Sequence, residues 1–363
     1  MEPKKPRILV CPLDWGLGHA TRCIPVIRAL AGAGAVPVIA SDGRQLTLLR
    51  TEFPDAEYVE LPGYRVRYSA KVPAALFLLL SVPRLLHAVF REHRKLKKLV
   101  RELNIDAVIS DNRYGLWHRR IPSALITHQL NIIPPPLLRV FAPLLRQATR
   151  FFIRRFDECW VPDFPGTPNL SGKLSHGSNI PANTRYIGLL SRFSGMSTGN
   201  DTAKEYDILV LVSGPEPQRS IFENLLKEQL PLQRNRCLLL SGTPENQEIR
   251  AIKPGLDAAG HLPAGQLEAL LRNGPLVIAR SGYSTLMDLA FTGNRAILVP
   301  TPGQTEQEYL AGFLDNQGFF TTCRQSDLNL SIAVEKAMMR PGLNLKHANG
   351  MLTKTIKDFI AKR

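Results

Sequence analysis

Few folds accommodate the stretch from Gly274 to Tyr309. Leu276-Val277-Ile278-Ala279 is an unbroken apolar run, which predicts a strand covered on both faces. Arg280-Ser281-Gly282-Tyr283 reads as a tight turn, Ser284 to Thr292 has helical spacing, and Gly293 is placed to stop that helix. Ala296-Ile297-Leu298-Val299-Pro300 predicts the next strand, and the polar run Thr301 to Tyr309 leads into another helix. Strand, glycine turn and helix aim free backbone N–H groups at one point, where the helix dipole also favours negative charge. Ser281, Ser284 or Thr285, and Asp288 are spaced to share one helix face. A phosphate at the turn and a diol further along would match that row, which makes it a candidate nucleotide site. The structural alternative is an ordinary βαβ unit whose Ser and Gly residues only cap a helix.

Arg280-Ser281-Gly282, Asp288, Gly293, Pro300 and Gln307-Glu308-Tyr309 together resemble the donor-binding region of GT-B glycosyltransferases. The pattern is similar to that of the lipid II-forming N-acetylglucosaminyltransferases (family 28-like), which carry Arg-Ser-Gly, an acidic residue and Gln-Gln-Tyr at the same spacing. Two positions depart from it: Asp288 stands for the family's Glu and Glu308 for a Gln. The resemblance implies an α/β GT-B fold, with two Rossmann-like domains facing each other across a cleft and a C-terminal helix crossing back to the first.

A chain of 363 residues suits two α/β domains. Arg7 to Pro12 predicts a first strand, followed by the loop Leu13-Asp14-Trp15-Gly16-Leu17-Gly18-His19, a helix over Ala20 to Leu30 and a strand over Val36 to Ala40. That order opens a Rossmann-like half, although the six-residue dinucleotide fingerprint is absent. His19 stands where the helix begins, and the resembling family also ends a glycine-rich loop in His here. A neutral imidazole accepts a proton near pH 7, so His19 is the candidate general base and Asp14 the second candidate. A helix-capping role for His19 and a surface role for Asp14 are the plain alternatives. Gly16 and Gly18 are placed on the acceptor side by the same resemblance.

Ala107 to Ser110 and Ser123 to Thr127 predict further strands, the second ending in His128-Gln129-Leu130-Asn131. Polar groups at the carboxyl ends of parallel strands face the ligand crevice, so His128 and Gln129 are candidate acceptor contacts. Ser- and Gly-rich sequence from Gly188 to Asn200 marks the domain boundary. The expected division is residues 1–190 as acceptor domain, 191–205 as linker, 206–343 as donor domain and 344–363 as a crossover segment, with Leu345 to Ile360 an amphipathic helix. Asp207 to Val212 repeats the opening theme, and its turn Ser213-Gly214 is a candidate diphosphate contact. By resemblance, His261 and Leu262 sit where GT-B enzymes hold the nucleotide base.

Charge is unevenly divided. Residues 1–200 hold 28 Lys+Arg against 14 Asp+Glu, whereas residues 201–363 hold 18 against 17. The basic excess implies an anionic partner for the first half. Ala74 to Leu80 is almost wholly apolar, Pro83 interrupts it, and Arg84 to Arg101 is dense in basic residues; Pro134 to Arg155 mixes leucines and phenylalanines with five arginines. This pairing suits contact with an anionic membrane surface, the alternative being core helices with solvated basic faces. Nucleic acid is not an expected partner, because the basic residues alternate with aliphatic more than aromatic side chains and no nucleic-acid motif occurs. No leader pattern opens the chain, and no apolar run approaches the roughly 20 residues of a spanning helix. Five scattered cysteines suggest neither zinc nor disulfides. A cytoplasmic protein, peripheral on the inner membrane face, is expected.

The resemblance thus implies an inverting transfer of a sugar, an N-acetylhexosamine, from a UDP-sugar to a lipid-linked or cell-envelope glycan acceptor. Ser281, Gly282 and the helix N-terminus would take the diphosphate, Asp288 the ribose, and Gln307 and Glu308 the sugar, with Arg280 adding charge or serving as a tether. No Asp-x-Asp motif occurs, so neither cofactor nor metal is expected. A UDP-sugar 2-epimerase and a catalytically silent, membrane-associated partner of another transferase are the alternatives.

Overall fold

The structure is a computed structural model that describes residues 4–63, 74–195, 206–232, 235–243, 245–346 and 350–362. The chain forms two compact units, Met1–Leu190 with Ala348–Arg363, and Ser191–His347. Residues 196–205 of the expected linker, and 72–73 at the head of the first basic passage, lie outside the described residues.

The first unit runs β1 (Arg7–Cys11), α1 (Leu17–Gly32), β2 (Val36–Ser41), α2 (Gly43–Glu52), β3 (Glu57–Glu60), α3 (Ala74–Glu102), β4 (Ala107–Asp111), β5 (Ser123–Ile126), α4 (Ala142–Ile153), β6 (Glu158–Val161) and β7 (Thr184–Tyr186). Its seven strands lie in the order β3-β2-β1-β4-β5-β6-β7, and every neighbouring pair is parallel. The central strands are short apolar runs because helices cover both faces of such a sheet. Leu9 lies between Val38 and Val108 in register, and all three pack with Leu96 and Leu99 of α3. From β1 the chain turns to one side for β2 and β3, then returns to the other side for β4. Loops leaving the carboxyl ends of β1 and β4 therefore diverge and leave a crevice.

The second unit repeats the plan with β8 (Ile208–Leu211), α5 (Gln218–Gln229), β9 (Cys237–Leu240), β10 (Arg250–Lys253), β11 (Leu256–Ala259), α6 (Ala264–Arg272), β12 (Leu276–Ala279), α7 (Tyr283–Thr292), β13 (Ala296–Leu298), α8 (Thr305–Asn316), β14 (Thr321–Thr322) and α9 (Leu330–Met338). The order β10-β11-β9-β8-β12-β13-β14 puts the reversal between β8 and β12. All its ladders are parallel except the hairpin β10–β11, which the sequence reading did not anticipate. Gly293 ends α7 in the left-handed conformation at φ 77°, as its position suggested.

Pro83, which interrupts the apolar run, lies inside α3, and the helix runs on through it. One expectation is corrected. The last helix, α10 (Met351–Ala361), starts six residues later than expected. Leu345 N–H donates to Ala290 O at 2.7 Å, which holds the preceding segment against α7 instead. α10 belongs to the first unit. Phe359 meets Trp160 edge-on at 5.1 Å, Asp358 pairs with Arg185 at 2.5 Å, and Lys362 pairs with Glu158. Among the described residues no helix is long and apolar enough to cross a membrane. Phe359 and Trp160 are fully buried, so Phe359→Ala is expected to cost about 3–5 kcal/mol. That loss would be read as a lower urea midpoint followed by tryptophan fluorescence.

Candidate functional site

In the first unit, the β1–α1 loop turns at Gly16, whose φ of 120° only glycine adopts freely. α1 begins at Leu17, which places His19 in its first turn with Arg22 one turn on, on the same face. Asp111 is the last residue of β4, the strand beside β1. His19 Nδ1 lies 2.9 Å from Asp111 Oδ2. Arg22 Nε donates to the same oxygen at 2.8 Å, and its Nη2 donates to Asp111 Oδ1. Asp111 is fully buried, whereas His19 keeps 18% of its side-chain surface. Burial, then the adjacent Arg22 charge, holds the His19 pKa below its ordinary 6.5 in spite of Asp111. Burial alone would raise the Asp111 carboxyl, but Arg22 and His19 outweigh it and hold it below the usual carboxylate range. The ground state is therefore a neutral imidazole on an ionised carboxylate, reachable from outside: the arrangement of a general base and its orienting group.

In the second unit, β12 ends in the Arg280-Ser281-Gly282 turn and α7 starts at Tyr283. The residue that opens α7, Gly282, has no side chain with which to cap it, and no acidic residue stands in the first turn. A Cβ built on Gly282 meets nothing within 4 Å, so the turn is open to a ligand. Ser284 and Thr285 are half-buried in that first turn. Across the strand-order reversal, Ser213 and Gly214 follow β8; both are exposed, and Gly214 has φ 112°. A Cβ on Gly214 would meet only Thr301 Oγ1, at 3.8 Å. Thr301 is 2% exposed, and its hydroxyl has no partner among the described residues. A helix that opens on glycine, two open glycine turns and a buried hydroxyl with no partner among the described residues suit an anion seated on backbone amides.

Residues 224–362 match the glycosyltransferase family 28 C-terminal domain. An uncharacterized glycosyltransferase of Methanosarcina mazei is 23% identical over 337 residues, covering 86% of this chain and 84% of that protein. The UDP-N-acetylglucosamine–N-acetylmuramyl-(pentapeptide) pyrophosphoryl-undecaprenol N-acetylglucosamine transferase of Nostoc sp. is 26% identical over 258 residues, covering 66% of this chain and 65% of its own. The crystal structure of the kitacinnamycin glycotransferase superposes with a TM-score of 0.62 at 16% identity, covering 99% of this chain and 96% of that one. The chain is a glycosyltransferase with the GT-B fold, and its residues 224–362 match the family 28 C-terminal domain.

Within this GT-B frame the expected residues divide. Gly16, Gly18 and His19 occupy one loop-to-helix turn of the first unit, and Gly18 O accepts from Thr21 Oγ1 at 2.9 Å. Asp14 is half-buried, with its carboxylate where a Cβ on Gly63 would fall, 2.0 Å from Asp14 Cγ. Gln129 is half-buried, its N–H donating to Thr127 Oγ1 at 3.1 Å. His128 is not the open acceptor contact expected. It is 3% exposed, and its Nδ1 lies 3.3 Å from Arg22 Nη1.

Arg280 makes the contacts of the second of its two expected roles, the tether. It is fully buried and donates to Val299 O, Pro300 O, Gln218 O and Gln325 Oε1 at 2.6–3.2 Å, with its guanidinium 3.9 Å over the Phe222 ring. Burial brings its pKa down to about 10. It is a tether between strand ends, and its charge is spent on them. Ser281 is also buried, its hydroxyl donating to Gln307 O at 2.8 Å, which joins the two helix starts. Gln307 is turned inward: its Oε1 accepts from Thr301 N at 2.9 Å and its Nε2 donates to Gln304 Oε1. Glu308 is exposed, accepting from Gly303 N at 3.0 Å. Leu262 is 1% exposed and offers backbone only; His261 is half-buried, and burial, with nearby Arg192, brings its pKa down to about 4.

Asp288 accepts from Ser191 Oγ at 2.8 Å, Arg192 N at 3.2 Å and Arg192 Nε at 2.8 Å, so a ribose there would share or displace Arg192. Arg192 and Thr301 beside the second-unit turns, and Asp111 and Arg22 in the first unit, were not singled out from sequence. For Asp111 a signal existed: a carboxylate ending a strand next to the His19 strand. Arg280→Met is expected to cost at least about 2 kcal/mol, because several buried acceptors lose their donor together. Arg280→Lys would recover little of it, since a single ammonium cannot span them; urea titration of both variants checks this.

Proposed function

We propose that the protein is an inverting transferase that moves a sugar, an N-acetylhexosamine, from a UDP-sugar to a lipid-linked or cell-envelope acceptor. The observation that carries this reading is the His19–Asp111 pair at the carboxyl ends of β1 and β4, whose imidazole is neutral and reachable. With Nδ1–H donated to Asp111, Nε2 is free to take the acceptor hydroxyl proton as that oxygen bonds to C1. The C1–O bond to the diphosphate breaks in the same displacement, and UDP leaves with the electron pair. The positive end of the α7 dipole at Gly282, with the Gly214 turn and the Thr301 hydroxyl of the same unit, suits the charge that develops on the diphosphate. Those donors replace a metal in this reading, so transfer should persist in EDTA. The UDP donor is inferred from the Nostoc relative, whose name carries it.

The test has two parts. UDP and UDP-N-acetylglucosamine should raise the melting temperature where ADP does not; at a hundred times Kd the stabilisation is about 2.7 kcal/mol. With lipid diphosphate-linked sugars as acceptors and product mass as readout, His19→Ala should slow transfer about 10²–10⁴-fold. No response to any uridine nucleotide, or full activity in His19→Ala, would sink the proposal.

Membrane contact is part of the same reading. α4 buries only Thr149 and Ile153. Val140, just ahead of it, with Leu144 and Phe151 form a stripe exposed by 77%, 62% and 56%, among Arg146, Arg150, Arg154 and Arg155. An open groove of about 860 Å³, lined by Trp117, Arg119 and the end of α4, continues that face. A core role would have buried the stripe. Each basic side chain near an anionic surface adds about 1 kcal/mol. The protein should therefore float with phosphatidylglycerol vesicles at low salt and not with phosphatidylcholine. Leu144→Ser with Phe151→Ser should weaken flotation without lowering the melting temperature.

A further inference from the structure

A histidine–carboxylate pair normally stands alone, and its carboxylate draws a proton onto the imidazole. Here a third group shares the carboxylate. Arg22 is 2% exposed and grips both oxygens of Asp111 through Nε and Nη2. The same Nη2 lies 2.8 Å from His19 Nδ1, and Nη1 lies 3.3 Å from His128 Nδ1. His19 Nδ1 thus faces a carboxylate at 2.9 Å that wants its proton and a guanidinium at 2.8 Å that opposes one. The other ionisable groups of this region are the buried thiols Cys11 and Cys23 and the Tyr114 phenol, all held protonated by burial. Asp14 lies in the loop before α1. Among these neighbours Arg22 is the cation in contact with both members of the pair.

The consequence is electrostatic. Asp111 without Arg22 would be a bare buried carboxylate, and the cheapest neutralisation open to it would be an imidazolium at His19. With Arg22 in place the carboxylate is already paired, so the imidazole gains little by charging. It still donates Nδ1–H to Asp111 when neutral, which leaves Nε2 as the acceptor. His128 and Asp111 fix the guanidinium from the ends of two neighbouring strands, so its plane is set by the sheet. We propose that Arg22 is a positioning residue that holds Asp111 against His19 and keeps the imidazole uncharged and ready to accept a proton. This rests on the reading of His19 as the base, but it concerns the protonation of one ring and is measurable without any substrate.

The experiment is an NMR pH titration of the full chain labelled with ¹⁵N- and ¹³C-histidine, His19 being assigned by its loss in His19→Gln. In the wild type the His19 midpoint should lie below 6.5, with Nδ1 protonated in the neutral ring. In Arg22→Met it should move up by about one pH unit or more, a tenfold change in proton affinity. Arg22→Lys, which restores the charge, should return most of that shift. A wild-type midpoint at or above 6.5 overturns the proposal whether or not any variant folds. So does an unmoved midpoint in folded Arg22→Met or, should that variant not fold, a midpoint in Arg22→Lys above that of a folded Arg22→Gln. Transfer activity of His19→Ala tests the base assignment separately. An inactive His19→Ala with an unmoved midpoint removes the role of Arg22 and spares the transferase reading.

Discussion

Each sheet changes direction once, and the chemistry collects where it does. A parallel strand must be followed by a crossover, so a chain that extends the sheet on one side has to return past its starting strand to extend the other. At that return two neighbouring strands send their loops apart, and backbone and side-chain groups at their carboxyl ends are left facing open space. In the first unit the strands are β1 and β4, and the groups are His19 and Asp111. In the second they are β8 and β12, and the groups are the Gly214 and Gly282 turns. Neither pair is close in sequence: His19 and Asp111 are 92 residues apart. The crossover makes them neighbours.

This explains what could be read in advance. The strand, turn and helix around Ser281 are local, each specified by an apolar run, a glycine and a helical period within thirty residues, and they lie where those signals put them. His19 was legible for the same reason, standing in the first helical turn after Gly16, a glycine that the loop's positive φ requires. What failed to show was direction and partnership. Sequence left Arg280 two roles, and the carbonyls of Val299 and Pro300 at the strand end decide for the tether. His128 ends a strand as expected, yet packing turns its ring onto Arg22. The start of α10 was misplaced because the amphipathic period continues across residues whose backbone is held by α7. The β10–β11 hairpin was missed because its strands are four residues each, one of them wholly exposed, with little alternation to read.

The basic excess of the first half also resolves into two populations. Arg22 and Arg113 are buried and consumed internally. The arginines of α4 and of the residues just after it lie nearer the surface; Arg155 covers the rings of Trp117 and Phe151 at 5.0 and 4.4 Å, and Arg150 meets only a carbonyl, that of Asn179. A count of charges cannot separate these, since both kinds sit among apolar residues in the sequence. Burial separates them, and only the second population is available to a partner.

The buried arginines and the half-buried Arg192 share one device. Arg22 with Asp111, Arg113 with Glu92 at 2.6 Å, and Arg192 with Asp288 at 2.8 Å are each a guanidinium on a carboxylate beside a loop of interest. Arg113 also donates to Leu61 O and Pro62 O, at 3.2 and 2.9 Å, and its Nη1 lies 3.4 Å from Pro12 O, so one side chain fastens α3 to the start of the His19 loop. Buried ion pairs add little net stability over well-packed apolar groups, because desolvation offsets most of their attraction. Their use here has to lie elsewhere. A guanidinium presents a rigid planar fork, and several acceptors must be in place at once to satisfy it. A loop held this way is fixed before any ligand arrives, and oriented dipoles fixed in advance stabilise a developing charge without reorganising. Pairs that contribute little to folding therefore stand where fixed geometry matters most, at the strand ends that carry the candidate base and the turns that would receive the departing diphosphate.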